Sequence, residues 1–411
     1  MTTIDPNAPS ARHAPMGFAE FLTFCSAGMA INSLAVSIML AALPEIASAY
    51  AMADANRQQL VLTVFFTGFS IGQIGVGMFS DRFGRRATFL FGMVVYCVAT
   101  VACVFAPTFE ILLIARFLAG MASAVPRVVV VSAVRDCYVG RRMASLMSLV
   151  MTVLFVAPIL APTLGHLILL GSNWQVLFGI LLIHGVVMLG WSWARQPETQ
   201  KAEDVRPIRF APFMAAVKAF FLNRQSVLVT LASGACQGCL LAFLVSSPQV
   251  IGEHYGLGKN FTLAFSAIGV TMAMAAFSNS WLVTRLGMRR IALGALIICL
   301  AVSLISFGAA MRGALPFAAF MATFFVLNSL LMMNSANFTA LAMEPHGAIA
   351  GMASSLFGAS TTFISAAIAS AIGQAYDGTA VPLVAGSLAC CAVALVLVAM
   401  VARSARALRN S

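Results

Sequence analysis

The chain alternates long apolar runs with short polar ones. Mostly apolar segments lie near 18 to 43, 58 to 79, 87 to 106, 109 to 134, 144 to 170, 174 to 195, 226 to 250, 261 to 284, 291 to 311, 315 to 342, 348 to 375 and 380 to 402. A bilayer core ~30 Å thick needs about 20 apolar residues per crossing helix, so the pattern predicts twelve transmembrane helices. The alternating ten-residue pattern of a membrane barrel is absent, and open strand edges are too costly in lipid. An all-α membrane protein is therefore expected.

The longest polar stretch, QPETQKAEDVRPIRFAPFMAAVKAFFLN, divides the twelve segments into six and six. The predicted organisation is a segment 1–17, a six-helix half 18–195, a central linker 196–225, a second half 226–402 and a tail 403–411. The two halves carry a positioned repeat. Moving 203 positions on from SDRFGRR reaches VTRLGMRR, which aligns Arg82, Gly84 and Arg86 with Arg285, Gly287 and Arg289. Both copies fall between the second and third helices of their half, as in transporters built by duplication.

Polar side chains sort the helices. The third, ninth and twelfth spans hold no Asn, Gln, His or charged residue and suit a lipid-facing position. The first, fourth, seventh and tenth hold Asn32, Arg116 with Arg127, Gln237, and Asn328, Asn334 and Asn337. These four are expected to line a central path, with Ser26, Ser33 and Ser37 adding a polar stripe on the first. Interhelical hydrogen bonding is the alternative use for any single Ser or Asn. Arg116 and Arg127 are close to three helical turns apart, on one face and ~16 Å from each other along the axis. Both are expected to face the path, with Pro126 freeing the Ala122 carbonyl for the second guanidinium.

Composition adds weight to the membrane reading. Of 411 residues, 61% are hydrophobic and 9% charged, with a mean hydropathy of +0.96, more apolar surface than a soluble core could bury. The net charge of +11 would suggest nucleic acid in a soluble protein, but its placement says otherwise. Only Arg57, Lys259 and Arg312 fall in odd-numbered loops and Arg116 and Arg127 within a span, whereas the even-numbered loops and both ends carry the remainder. This positive-inside bias puts both termini in the cytoplasm and excludes a nucleic-acid partner. The first seventeen residues contain Pro6, Pro9 and Pro15 and no apolar run with a cleavage site, so no removable signal is expected. Nine cysteines lie almost wholly within apolar spans, and neither disulfides nor a metal at Cys236 and Cys239 is expected, for want of a nearby His or second Cys pair.

The run Gly77-Met78-Phe79-Ser80-Asp81-Arg82-Phe83-Gly84-Arg85-Arg86 resembles the signature loop of the major facilitator superfamily. Leu113-x-x-Arg116-Phe117-x-x-Gly120, Val134-Arg135-Asp136, Ala157-Pro158-x-x-Ala161-Pro162-x-x-Gly165, Trp174, Pro197-Glu198-Thr199 and Ala350-Gly351-Met352-Ala353-Ser354-Ser355-Leu356 are together similar to the Bcr/CflA type of drug exporter. The resemblance implies a cytoplasmic gate. Asp81 would meet the N-terminus of the eleventh span near Ala348, where free N–H groups favour an anion, and Arg85 would pair with Asp136. The helix 5 pattern marks antiport in such exporters, although Ala157 and Ala161 stand where glycine is usual and His166 replaces another glycine.

The chain departs from these relatives in its first helix. Where they commonly carry an aspartate, this chain reads Ser37-Ile38-Met39-Leu40-Ala41-Ala42-Leu43-Pro44. Glu20, His166 and His184 are the remaining candidate proton carriers. The expected function is secondary active efflux of small amphipathic drugs or xenobiotics by alternating access, as proton-linked antiport, in a bacterial inner membrane. The expected partners are a small-molecule substrate, protons and the bilayer, with no cofactor and no oligomer. An uptake carrier for an organic anion and a non-transporting sensor are the alternatives. No acid accompanies His or Ser at membrane depth, which argues against an enzyme.

Overall fold

A computed structural model of the protein describes residues 16–138, 140–200, 210–257 and 261–410. Nearly all are helical, and no strand occurs among the described residues. In the first half the long helices are α1 (Phe18–Ser37), α3 (Leu60–Phe83), α4 (Arg85–Val104), α5 (Phe109–Cys137), α6 (Gly140–Leu169) and α7 (Trp174–Arg195). In the second they are α9 (Arg224–Gln249), α10 (Phe261–Leu286), α11 (Met288–Met311), α12 (Phe317–Met343), α13 (Ala350–Gln374) and α14 (Val381–Asn410). Among the described residues 11 helices are long and apolar enough to cross a membrane, and α6, at 30 residues, completes the twelve.

Two short helices, α2 (Leu43–Ala49) and α8 (Phe210–Leu222), were not expected from the sequence. The first span ends early because residues Ile38–Ala41 tighten into a 3-10 turn, and Pro44 then sits in the first turn of α2, where its missing donor costs nothing. The central linker is not polar throughout: α8 docks beside α9 and α13, burying Phe220 against the ring of His346.

Helix ends follow local chemistry. Thr108 and Asn223 accept the N–H of Ile111 and Ser226 and so start α5 and α9. Gly84 and Gly287 end the second helix of each half with φ of 90° and 78°, a region costly for any residue with a Cβ. The two turns thus share a conformation as well as a sequence pattern.

Within the first half α5 packs between α3 and α4, α4 meets α7, and α1 lies on α6; within the second α9 packs on α13 and α14, while α11 bridges α12 and α14. Small residues set the closest approaches. The Cβ positions of Gly68 and Gly72 are occupied by carbonyl oxygens of α5, and that of Gly120 by one from α3. The halves meet along α3 with α13 and α6 with α10. Large apolar side chains are exposed along α4, α11 and α14, and also along α7 and α10, which therefore join the lipid-facing set.

Candidate functional site

A cavity of about 310 Å³ lies between the halves. Each of α1, α5, α9 and α12 gives it a polar side chain: Asn32, Ser33 and Ser37 from the first, then Arg127, Gln237 and Asn328. Thr362 and Ser365 of α13 add hydroxyls, and Phe66, Phe69, Phe243 and Met272 form apolar wall. No acidic residue and no histidine is among the described lining residues.

Four expectations about this path need correction. Arg116 does not reach it. Its guanidinium is buried inside the first half, donating to the carbonyls of Val61 at 3.3 Å and Ala35 at 3.1 Å and lying 4.2 Å from the Phe65 ring and 5.6 Å from that of Phe178. It ties α1, α3 and α5 together. Asn334 and Asn337 also point away: the first donates to the Ala292 carbonyl of α11, the second to the Asn279 side chain of α10. Finally, Arg127 takes nothing from the break at Pro126. It is exposed to the cavity, lies 5.6 Å from the Phe69 ring, and makes no hydrogen bond or ion pair among the described residues.

The arginine-rich end is built around Arg85. The side chain donates to Asp81 at 2.6 Å, to Asp136 at 3.0 Å and to Ser80 at 2.9 Å. Asp81 therefore pairs within its own half and not with the N-terminus of α13. The anion at a helix start here is Glu198, which accepts the N–H of Arg85 at 2.8 Å and of Arg86 at 3.2 Å and fills the space a Cβ on Gly84 would need. Arg86 donates to the Trp193 carbonyl and Gln200 to that of Asp81, so the start of the linker is stitched to the loop. Arg82 and Arg135 make no ion pair among the described residues. Gly77 and Gly351 have open space around them, and the described ion pairs at this end each stay within one half.

At the opposite end the halves are hydrogen-bonded to each other. Asn56 donates to the carbonyls of Tyr376 at 2.7 Å and Gln374 at 3.3 Å, and its own carbonyl accepts from Gln374 at 2.8 Å. Gln249 donates to the Asn56 side chain at 3.3 Å and accepts from Gln59. Burial pushes the Tyr376 phenol up to about 12, and its hydroxyl donates to the Gln249 carbonyl at 3.4 Å. Sequence reading missed this cluster. Its members sit at helix ends up to 320 positions apart, and no local pattern joins them.

The remaining candidates lie off the cavity. Glu20 gives its oxygens to Arg195 at 2.8 and 3.0 Å and to the Trp191 N–H at 3.3 Å. His166 is exposed near the end of α6, and His184 is half-buried against the backbone of Ala27. On α6, Gly165 approaches the Ile38 carbonyl so closely that a Cβ would stand 2.9 Å from it, and Ala161 and Pro162 are buried; the side chains of Ala157 and Pro158 are outside the described residues. The cysteines also differ from expectation. A second pair does stand near Cys236 and Cys239, since Cys391 reaches Cys239, Cys299 and Ser303, although no group that could hold a metal ion forms among the described residues.

Twelve apolar helices in two six-helix halves, with a cavity between them to which both halves give polar side chains, are the architecture of a membrane transporter. The Major Facilitator Superfamily profile matches residues 25–370, and the chain belongs to that family. It is 30% identical to an uncharacterized MFS-type transporter of Bacillus subtilis (strain 168), YdgK, over 384 residues that cover 90% of this chain and 93% of the relative. It is also 30% identical to the multidrug resistance protein MdtL of Escherichia coli O81 (strain ED1a) over 261 residues, 62% of this chain and 65% of MdtL. Among solved structures it resembles a peptide transporter, POT, with a TM-score of 0.76 at 14% identity, covering 98% of each chain. The xylose transporter XylE of E. coli gives a TM-score of 0.68 at 13% identity, covering 92% of this chain and 97% of the other. Both likenesses concern the fold alone.

Proposed function

We propose that the protein exports small amphipathic compounds across a bacterial inner membrane by alternating access. The observation that carries this reading is the cavity between the halves, hydrogen-bonded across by the Asn56 cluster at one end and, among the described residues, without a bridge of ion pairs at the other. The arginine-rich end is taken as cytoplasmic from the positive-inside bias, which makes this an inward-facing state. Kinship with MdtL supports drugs or xenobiotics as cargo. In the opposite state the Asp81–Arg85–Asp136 cluster would dock on the N-terminus of α13 as the Asn56 cluster parts, so that one lock replaces the other.

Substrate would sit against Asn32, Ser33, Ser37, Gln237 and Arg127, with Asn328 in place of Asn334 and Asn337. Coupling to protons is proposed to be weak, because no carboxylate or imidazole is among the described lining residues and Glu20 is already held by Arg195. Uptake of an organic anion is the second reading, favoured by the cationic cavity. Flux in everted and right-side-out vesicles separates them: accumulation in everted vesicles supports export, and accumulation only in right-side-out vesicles overturns it.

A further inference from the structure

α5 carries two membrane-embedded arginines whose surroundings differ in kind. Arg116 is answered from within the protein by two backbone carbonyls and two aromatic rings. Arg127 has one ring face and the cavity. A guanidinium at this depth is costly unless an opposite charge or several acceptors meet it, and its five donors form a fork that suits a carboxylate, sulfonate or phosphonate. Among the described cavity-lining residues there is no such group, since none of the thirteen acidic residues is one of them.

The geometry points to a ligand that supplies the missing charge, so that the site binds amphipathic organic monoanions. The acidic group sits on Arg127, with the amides of Asn32 and Gln237 lining the same cavity, and the apolar body lies on Phe66, Phe69 and Met272. One arginine sets the charge at one. Dianions leave an unpaired charge in the cavity, and cations meet like charge there. The loaded cavity is then neutral and the empty one carries a single positive charge, so loading removes the cost of moving a charged site between the two states. This rests on the cavity being the substrate site, as proposed above, and not on the direction of transport.

Charge-selective thiol chemistry tests the site without knowing the natural cargo. In Gln237→Cys protein, with the unsubstituted chain as background, the rate with anionic sulfonatoethyl methanethiosulfonate is compared with that of the cationic trimethylammonioethyl reagent. Relative to a free thiol, the anion-to-cation ratio should be at least tenfold higher, fall back with Arg127→Gln, and stay high with Arg127→Lys. A ratio that does not respond to Arg127→Gln overturns the inference. Proteoliposome counterflow with 2-naphthoate, 2-naphthamide and 2-naphthyltrimethylammonium forms the second arm. Carriage of naphthoate above the other two, lost in Arg127→Gln, supports it, and equal carriage of the cation overturns it. A charge-selective cavity in a protein that moves none of the three sinks the transport reading and leaves the anion site standing.

Discussion

Asn56→Ala should unlock the end of the bundle opposite the arginine-rich loops. The substitution removes two donated bonds, to Tyr376 at 2.7 Å and Gln374 at 3.3 Å, and one accepted from Gln249 at 3.3 Å. Such bonds contribute about 0.5–1.5 kcal/mol each, and the two longer ones belong at the low end, so the total is roughly 2 kcal/mol. The three bonds join the two halves and exist only while this end is closed. The penalty therefore falls on one state, and 2 kcal/mol is a factor of about 30 in the ratio of closed to open. A population held 100:1 toward closed would move to about 3:1, well within reach of electron–electron resonance. Spin labels at Ala53 and Arg312, exposed at this end and in opposite halves, should show a second, longer distance in Asn56→Ala that is absent from the parent. An identical distance distribution in both proteins would mean that the cluster carries no conformational energy and merely fills space.

Other outcomes follow from the same geometry. Arg116→Ala should destabilise the protein by roughly 3–5 kcal/mol, since hydrogen bonds to a charged group are worth about 1.5–3 kcal/mol each, and Arg116→Lys should not restore it; thermal unfolding in detergent reads this, and an unchanged midpoint would return Arg116 to the transport path. Glu198→Ala should cost about 1 kcal/mol at the start of α4 and loosen the linker from the loop, seen as faster amide exchange at Arg85 and Arg86, whereas unaltered exchange would show that the carboxylate is not the cap. Gly84→Ala should have a larger effect than Glu198→Ala, because a Cβ both strains the backbone at φ 90° and displaces that carboxylate; equal expression and exchange would refute it. Ser37→Asp should steepen the dependence of flux on a pH gradient by placing a titratable group in the cavity wall, and a flat response would remove this position from any coupling role.

Much of the architecture was legible because the bilayer imposes it. Segment length gave the crossings, and the repeat around Gly84 and Gly287 marked turns that share a left-handed conformation. The bias of polar residues toward the first helix of each triplet also pointed to α1, α5, α9 and α12, which do border the cavity. What failed was the direction of individual side chains. Periodicity puts Arg116 and Arg127 on one face of α5, yet depth separates them: at the first, α1, α3 and α7 close around the guanidinium, and at the second the halves stand apart. Asn334 and Asn337 failed for a related reason, since an amide is as useful between α12 and its neighbours α10 and α11 as in a cavity. The Asn56 cluster and the cap made by Glu198 depend on groups brought together only by the folded chain, over separations that no spacing rule spans.

In the proposed transport cycle one cavity opens in turn to the two faces of the membrane, governed by the Asn56 cluster. Modification of Gln237→Cys by an impermeant thiol reagent, applied separately to each face of sealed vesicles, tests it most directly. With the cluster intact the thiol should react from the arginine-rich face. With Asn56→Ala added, reactivity from the opposite face should rise by about the same 30-fold as the population shift. Reaction from the opposite face alone, or an unchanged preference in the double variant, would show that the Asn56 cluster does not govern access to the cavity.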